Sequence, residues 1–399
     1  MPQSGEAWDV TEFRGPLWPF DSWESSTEGC RNELVVLRSM MTIITRGCCK
    51  LVSRALPTCL VFQMLLAAAT SALSQPSRVA EIATYRGADR ELRLIEGAKR
   101  EGELMFYTSI LVDDLAAVGA AFERRYGIKV KSWRADSESF LRRIVAESRA
   151  RRYEVDVMHG AGAALEALYR EDLLQEVKSP YIADLMPEAM PPHRQWAPMI
   201  LNMIVQAYNT KIVQKEALPA SYRDLLKPDW RGKLGIEADD YDWFAQIVTE
   251  LGEPEGLKLF HQIATTTGIS VRKGHSVLTN LVAAGEVALA LTTYGFAVDQ
   301  AKAKGAPLDW FAIPPAAARP APVGLARSAP HPYAAVLFYD FLLSDAQQIL
   351  ANRQYVVASR KVASPFTKGP LTLIDPGIML DNAQKWQDLY RMTIANPPR

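Results

Sequence analysis

Beyond Cys59 the chain has no cysteine: of 399 residues, the four cysteines are Cys30, Cys48, Cys49 and Cys59. The long remainder can form neither disulfides nor thiolate metal sites. An excess of charge of either sign is also lacking, since 45 Lys and Arg balance 45 Asp and Glu. That neutrality argues against nucleic acid and anionic membrane surfaces, which select basic patches. No HExxH, GxSxG or Walker A sequence occurs, so none of these motifs points to catalysis. His159-Gly160-Ala161-Gly162 opens like a dinucleotide fingerprint, but the third glycine is missing, and a tight strand-to-helix turn explains it better. What is abundant is apolar: 48% of residues are hydrophobic and 23% charged, enough to bury a large core. The length suggests more than one domain.

The N-terminal region has the layout of an export signal. Arg46, Lys50 and Arg54 supply positive charge, residues 60–69 form an apolar run broken only by Gln63, and Ala72-Leu73-Ser74 is a small-x-small site before Gln75. The run is shorter than the ~20 apolar residues of a membrane span. We therefore expect a signal peptide over 41–74, preceded by an extension over 1–40 that is not part of the native protein, and an exported, periplasmic chain starting near Gln75.

From there, short apolar runs alternate with helical patterns, as in an α/β fold with parallel strands. Residues 104–107, 128–133 and 155–158 read as strands. Leu115, Val118, Phe122 and Tyr126 mark a helix that Gly127 stops, and Asp136 or Ser137 caps the next. A second set follows, with strands at 233–236, 269–272 and 287–291 and helices at 243–251 and 276–284. Residues 199–208 form a long extended run between the sets. The proline-rich stretch 310–323 resembles a linker, and 334–342 an amphipathic helix. Two α/β units joined by two crossing segments predict a hinged, two-lobed body, with residues 75–200 and 323–399 in lobe 1 and 201–322 in lobe 2.

Several segments resemble a known family. Ala207-Tyr208-Asn209-Thr210-Lys211, Leu218-Pro219-Ala220-Ser221-Tyr222-Arg223-Asp224-Leu225 and Pro228-Asp229-Trp230-Arg231-Gly232-Lys233 are similar to the mid-chain signature of periplasmic binding proteins of ATP-driven (ABC) importers, in the ferric-iron-type branch. Residues 283–290 and 331–344 resemble two further blocks, and the likeness runs in order over about 98–365. It implies the two-lobed type 2 periplasmic-binding-protein fold with a hinged interlobe cleft. It further implies a monomer that hands a small ligand to a membrane permease, with no catalysis, no resident cofactor, and Fe3+ as a candidate transported ligand. A ligand-sensing subunit of a membrane receptor, or an enzyme on the same scaffold, are the alternatives.

Candidate ligand residues follow from strand ends, where open α/β sheets bind ligands. Thr108 and Ser109 end the first strand. Arg134 ends the second, followed by Ser137, and its fork suits a carboxylate, phosphate or chelate anion. Asp240, Asp242 and Trp243 follow the 233–236 strand, and the carboxylates suit a hard cation, an amine or a hydroxyl, or simply a helix N-terminus. His275 and Ser276 open the next helix, while His193 and His261 read as surface residues. Ferric-binding relatives carry two adjacent tyrosines at the level of Tyr294, and here Gly295 and Phe296 follow it instead. Tyr294 is thus the one expected metal ligand, and a chelated metal or an organic solute (a carboxylate, phosphonate or polyamine) stands beside bare ferric iron.

Overall fold

The computed structural model describes residues 78–363 and 371–395, so the expected signal peptide and upstream extension lie outside the described residues. Helices α1 (Arg78–Thr84) and α2 (Arg90–Glu101) lead into β1 (Glu103–Thr108), α3 (Val112–Tyr126), β2 (Lys129–Arg134), α4 (Ser137–Arg149), β3 (Val157–His159), α5 (Gly162–Arg170) and β4 (Leu174–Gln175). The local chemistry explains the boundaries. Gly127 ends α3 at φ 72°, a left-handed conformation that costs glycine little. Asp136 starts α4 by accepting the Ser139 amide at 2.8 Å.

The second set begins after β5 (Trp196–Asn209) with β6 (Leu234–Glu237), α6 (Tyr241–Glu250), α7 (Glu253–Gln262), β7 (Ile269–Arg272), α8 (His275–Ala284), β8 (Leu289–Tyr294) and α9 (Gly295–Ala303). β6 is buried along its length, and a Cβ at Gly235 would stand 2.8 Å from the Val287 side chain. The chain returns through β9 (Leu308–Phe311) and β10 (Ala316–Ala326). It continues as α10 (Pro332–Leu342), α11 (Asp345–Ala351), β11 (Val356–Val357), β12 (Leu371–Leu373), α12 (Pro376–Asp381) and α13 (Ala383–Tyr390).

The α/β expectation holds. β1 pairs in parallel with β2 and β3, and β6 with β7 and β8. One sheet runs β2-β1-β3-β10-β5-β8-β6-β7. Its middle strands, β5 and β10, are antiparallel to each other and belong to both halves: β10 pairs with β3 through Val323–Leu325, and β5 with β8 through Ile204–Tyr208. Two main cores flank this crossing. Leu104, Phe106, Phe122 and Phe338 lie in the first, and Ile236, Trp243, Phe244 and Phe260 in the second.

Three sequence expectations change. Most of the stretch 310–323 is strand, not linker: Trp310 and Phe311 end β9, and Pro320 and Pro322 sit in β10 beside a register shift at Ala321/Pro322. Helix α10 is buried on nearly every face, from Ala334 through Leu342, because the first core closes around it. The C-terminal part does not return wholly to the first lobe, since Trp386, Tyr390 and Ile394 complete the second core.

Asp156 ties the first lobe together. Its fully buried carboxylate accepts the amides of Met105 (2.8 Å) and His331 (2.7 Å) and pairs with the His331 ring at 2.8 Å. The hydrogen bond to Asp156 raises the His331 pKa. Stability from this pair is therefore full below the unfolded histidine value of ~6.5 and declines as pH rises through the raised folded value. Asp156→Ala should cost ~3–5 kcal/mol in urea unfolding, and His331→Gln should flatten the stability–pH curve above pH ~6.5.

Candidate functional site

Residues far apart in sequence converge where the carboxyl ends of β6 and β8 meet β10. Asp240 lies in the turn after β6, Asp242 in the first turn of α6, His275 at the start of α8 and Tyr294 at the end of β8. Arg319, on β10, is their common partner. Its Nε donates to Asp242 Oδ2 at 2.6 Å, one terminal nitrogen donates to the Tyr294 hydroxyl at 2.7 Å, and the other to Asp240 Oδ1 at 3.0 Å and to Asp242 Oδ1. His275 Nε2 contacts the second Asp240 oxygen at 3.1 Å, and its ring stacks on Tyr294 with centroids 3.9 Å apart. Glu237, at the end of β6, closes the group. Its carboxylate accepts the amides of Gly274 and Asp239, and donor atoms of Glu237, Asp240 and His275 lie within 4.8 Å of one another.

The side chains of Asp240 and Arg319 are 1% and 11% exposed. Burial disfavours the Asp240 carboxylate, but the His275 and Arg319 charges outweigh it and hold the group well below its ordinary value. Glu237 moves up, through burial and then the Asp240 charge. Burial also raises Tyr294, although Arg319 opposes the shift, so the phenol keeps its proton at neutral pH.

The other expected residues are distributed differently. Thr108 is fully buried, and its hydroxyl accepts the Ile110 amide and contacts His159 Nδ1 at 3.1 Å, so it serves the fold. Ser137 is likewise occupied, accepting the Ala161 amide at 2.9 Å. Trp243 was expected in the cleft and is 1% exposed, packed in the second core against Tyr222 and Phe260, because its helix turns it inward. Ser109 is half-buried in the turn after β1, and Ser276 is exposed on α8. Arg134 is exposed at the end of β2, with Nε donating to the Ile110 carbonyl at 2.7 Å. His193, expected on the surface, stacks on Tyr169 and contacts buried Glu166 at 3.0 Å.

The first-lobe turn and the second-lobe cluster are linked along β10. The Gly160 amide donates to the Pro322 carbonyl, and Val323 pairs with His159. Arg319 and Val323 are four residues apart on β10, roughly 13 Å of strand at ~3.3 Å per residue. That span suits a small molecule. A cavity of about 1010 Å³ lies elsewhere, lined by Arg86, Arg90, Lys178, Tyr181 and Asp340, and none of the candidate ligand residues lines it.

Sequence reading missed Arg319, Glu237 and Asn202. Asn202 is the register partner of Arg319 on β5, and its buried Oδ1 has no hydrogen-bond partner among the described residues. The available signal was Arg319 itself, a lone charge within the run AAARPAPVGLA.

This architecture, with two α/β cores bridged by crossing strands and polar side chains at the strand ends, is that of a two-lobed ligand-binding protein. A family model described as bacterial extracellular solute-binding protein matches residues 109–349, more than half of the chain, and the chain belongs to that family. The Fe(3+)-binding periplasmic protein of Serratia marcescens is 27% identical over 168 residues, 42% of this chain and 49% of that protein. The chain thus spans about half the length of the curated relative it matches. Among solved structures, iron-bound HitA from Pseudomonas aeruginosa superposes with a TM-score of 0.63 at 21% identity, covering 72% of this chain and 99% of that one. AfuA from Actinobacillus pleuropneumoniae, with exogenous fructose-6-phosphate bound, gives 0.65 at 21% identity, covering 74% and 99%. At these identities the structural likeness establishes the two-lobed periplasmic-binding fold. Among the described residues, no helix is long and apolar enough to cross a membrane.

Because the Asp240 pKa is depressed, its contribution to stability is present above ~3.9 and lost as pH falls through the folded value. Asp240→Ala should cost ~3–5 kcal/mol at neutral pH by leaving buried Arg319 under-compensated. Asp240→Asn should remove this group's share of the acid-induced loss below pH ~4, followed by tryptophan fluorescence.

Proposed function

We propose that the protein is the extracytoplasmic binding component of an ABC importer, closing two lobes around a small solute and presenting the closed form to a membrane permease. The observation that carries this reading is the buried assembly of Arg319, Asp240, Asp242, Tyr294 and His275 at strand carboxyl ends, on a strand shared by both lobes. Ligand contacts to both sides favour closure, which a permease can distinguish from the open form. Export through residues 41–74 places the mature chain, beginning near Gln75, in the periplasm.

The two lobes offer different chemistry. Arg134 presents a guanidinium fork suited to a carboxylate or phosphate oxygen, whereas the second lobe is rich in carboxylate acceptors suited to hydroxyl or amine donors. A solute with an anionic end and a hydroxylated or amine-bearing end fits both, as does an anionic ferric chelate. The Serratia relative supports iron cargo and the AfuA likeness supports a phosphorylated sugar. Catalysis is disfavoured because both Asp240 oxygens are engaged, Oδ1 by Arg319 and Oδ2 by His275.

Native mass spectrometry with metal analysis on residues 75–399 from an exporting host should reveal a co-purifying solute or chelate. N-terminal sequencing should begin near Gln75, and cytoplasmic retention of the full chain would count against export. Arg134→Ala should weaken binding of the identified solute by ~1.5–3 kcal/mol by calorimetry, the scale of a charged hydrogen bond. An unchanged affinity would remove Arg134 from the site.

A further inference from the structure

We propose that Arg319 is a resident cation that fills the oxygen cage of the second lobe and thereby bars bare metal ions from it. The proposal rests on the reading of this cluster as the solute site and defines which solutes the site refuses.

The surrounding residues are of metal-ligand type. Three carboxylates (Glu237, Asp240 and Asp242), the His275 imidazole and the Tyr294 phenol are oxygen and nitrogen donors suited to hard or borderline cations. Taken without Arg319, they would form a strong candidate ion site. With Arg319 in place, the carboxylate oxygens already accept hydrogen bonds and a fixed positive charge stands among them. That leaves lone pairs for a solute's hydroxyl but opposes a second cation. Asp242 is held through both oxygens, Tyr294 through its hydroxyl and Asp240 through Oδ1. The other Asp240 oxygen faces His275 at 3.1 Å, and the Glu237 oxygens hold the amides of Gly274 and Asp239.

An incoming ion would have to displace the guanidinium or share its ligands. Sharing brings two positive charges within a few ångströms in a poorly hydrated site, where like charges repel far more than in water. Displacement breaks charge-assisted hydrogen bonds and leaves a guanidinium that cannot lose its proton without its counter-ions. The side chain springs from β10 between buried neighbours, Ala318 and Pro320, and is 11% exposed, so it has little room to swing out. A neutral or anionic organic solute avoids both penalties, because it can bind at the edge of the assembly without replacing its central charge.

The test offers Fe3+ from its nitrilotriacetate complex to the mature chain and reads the visible tyrosinate-to-iron charge-transfer band. The band requires Tyr294 to bind iron and release its phenol proton to solvent. Wild type and Arg319→Lys should show no band. Arg319→Met, which removes the charge and keeps an unbranched side chain, should gain one, with iron uptake at least 100-fold tighter than wild type. Adding Tyr294→Phe should abolish the gained band. If Arg319→Met does not fold, as judged by circular dichroism, Arg319→Met/Asp242→Asn removes one uncompensated carboxylate and keeps Asp240, His275 and Tyr294 for the same measurement. A wild-type band that disappears in Tyr294→Phe overturns the proposal and leaves the import reading in place with iron as cargo. A folded Arg319→Met variant that takes up no more iron than wild type also overturns it. Failure of the import reading would appear separately, as a wild-type protein that neither retains nor binds any solute.

Discussion

Arg319 stands on the strand that both lobes share, and its guanidinium is held by groups from two separate turns of the second lobe, with His275 from a third turn reaching it through Asp240. A buried guanidinium without counter-ions is costly, and so are buried carboxylates without a cation. Each therefore requires the others to be in place. The turn after β6, the start of α8 and the end of β8 are positioned against β10 by this mutual requirement as much as by the apolar core beneath them. Removing one member leaves a charge stranded, so the group acts as one unit. It also fixes the mouth of the second lobe at the strands about which any closure would take place.

That placement connects the site to the contact between lobes. Tyr294 is the last residue of β8, and α9 begins at the next residue. Its ring lies in a series that runs from His275 through Tyr294 and Phe296 to Tyr355, with centroid separations of 3.9, 5.6 and 4.0 Å. Tyr355 donates to buried Asp114 on α3 at 2.6 Å, and Gln300 on α9 donates to the same carboxylate at 3.2 Å. Asp114 also pairs with Arg353. A solute that shifts Tyr294 or His275 presses on rings that end in a first-lobe carboxylate held partly from the second lobe. Packed aromatic rings transmit displacement better than they absorb it, because interiors are close-packed.

Much of this was legible in the sequence, and the remainder was hidden for definable reasons. Strands β1, β2, β6 and β7 and helices α3, α4 and α8 follow from apolar period and from Gly127 and Asp136 as stop and start signals. The Asp240, Asp242, His275 and Tyr294 group was found as strand-end residues, but as separate candidates, since nothing local shows that they share a partner. That partner lay in a stretch whose prolines suggested a linker. Proline statistics mislead there because β10 accommodates Pro320 and Pro322 beside a register shift. Trp243 failed for the opposite reason: the residues just before it are largely acidic, yet helix geometry turns it toward Tyr222 and Phe260. The burial of α10 was out of reach because it depends on what packs around it.

The family likeness and the site chemistry constrain different things. Structures alike at 21% identity include one with bound iron and one with a bound sugar phosphate, so the scaffold tolerates both and chooses neither. Choice lies in the charges placed at the strand ends. A ferric site needs anionic donors whose lone pairs are free to meet the ion. Here a cation carried by the chain itself already donates hydrogen bonds to both Asp242 oxygens, the Tyr294 hydroxyl and one Asp240 oxygen. One arginine on a crossing strand can thus separate two ligand classes on the same fold without moving a single strand, because what it changes is the charge at the centre of the cage rather than the shape of its walls.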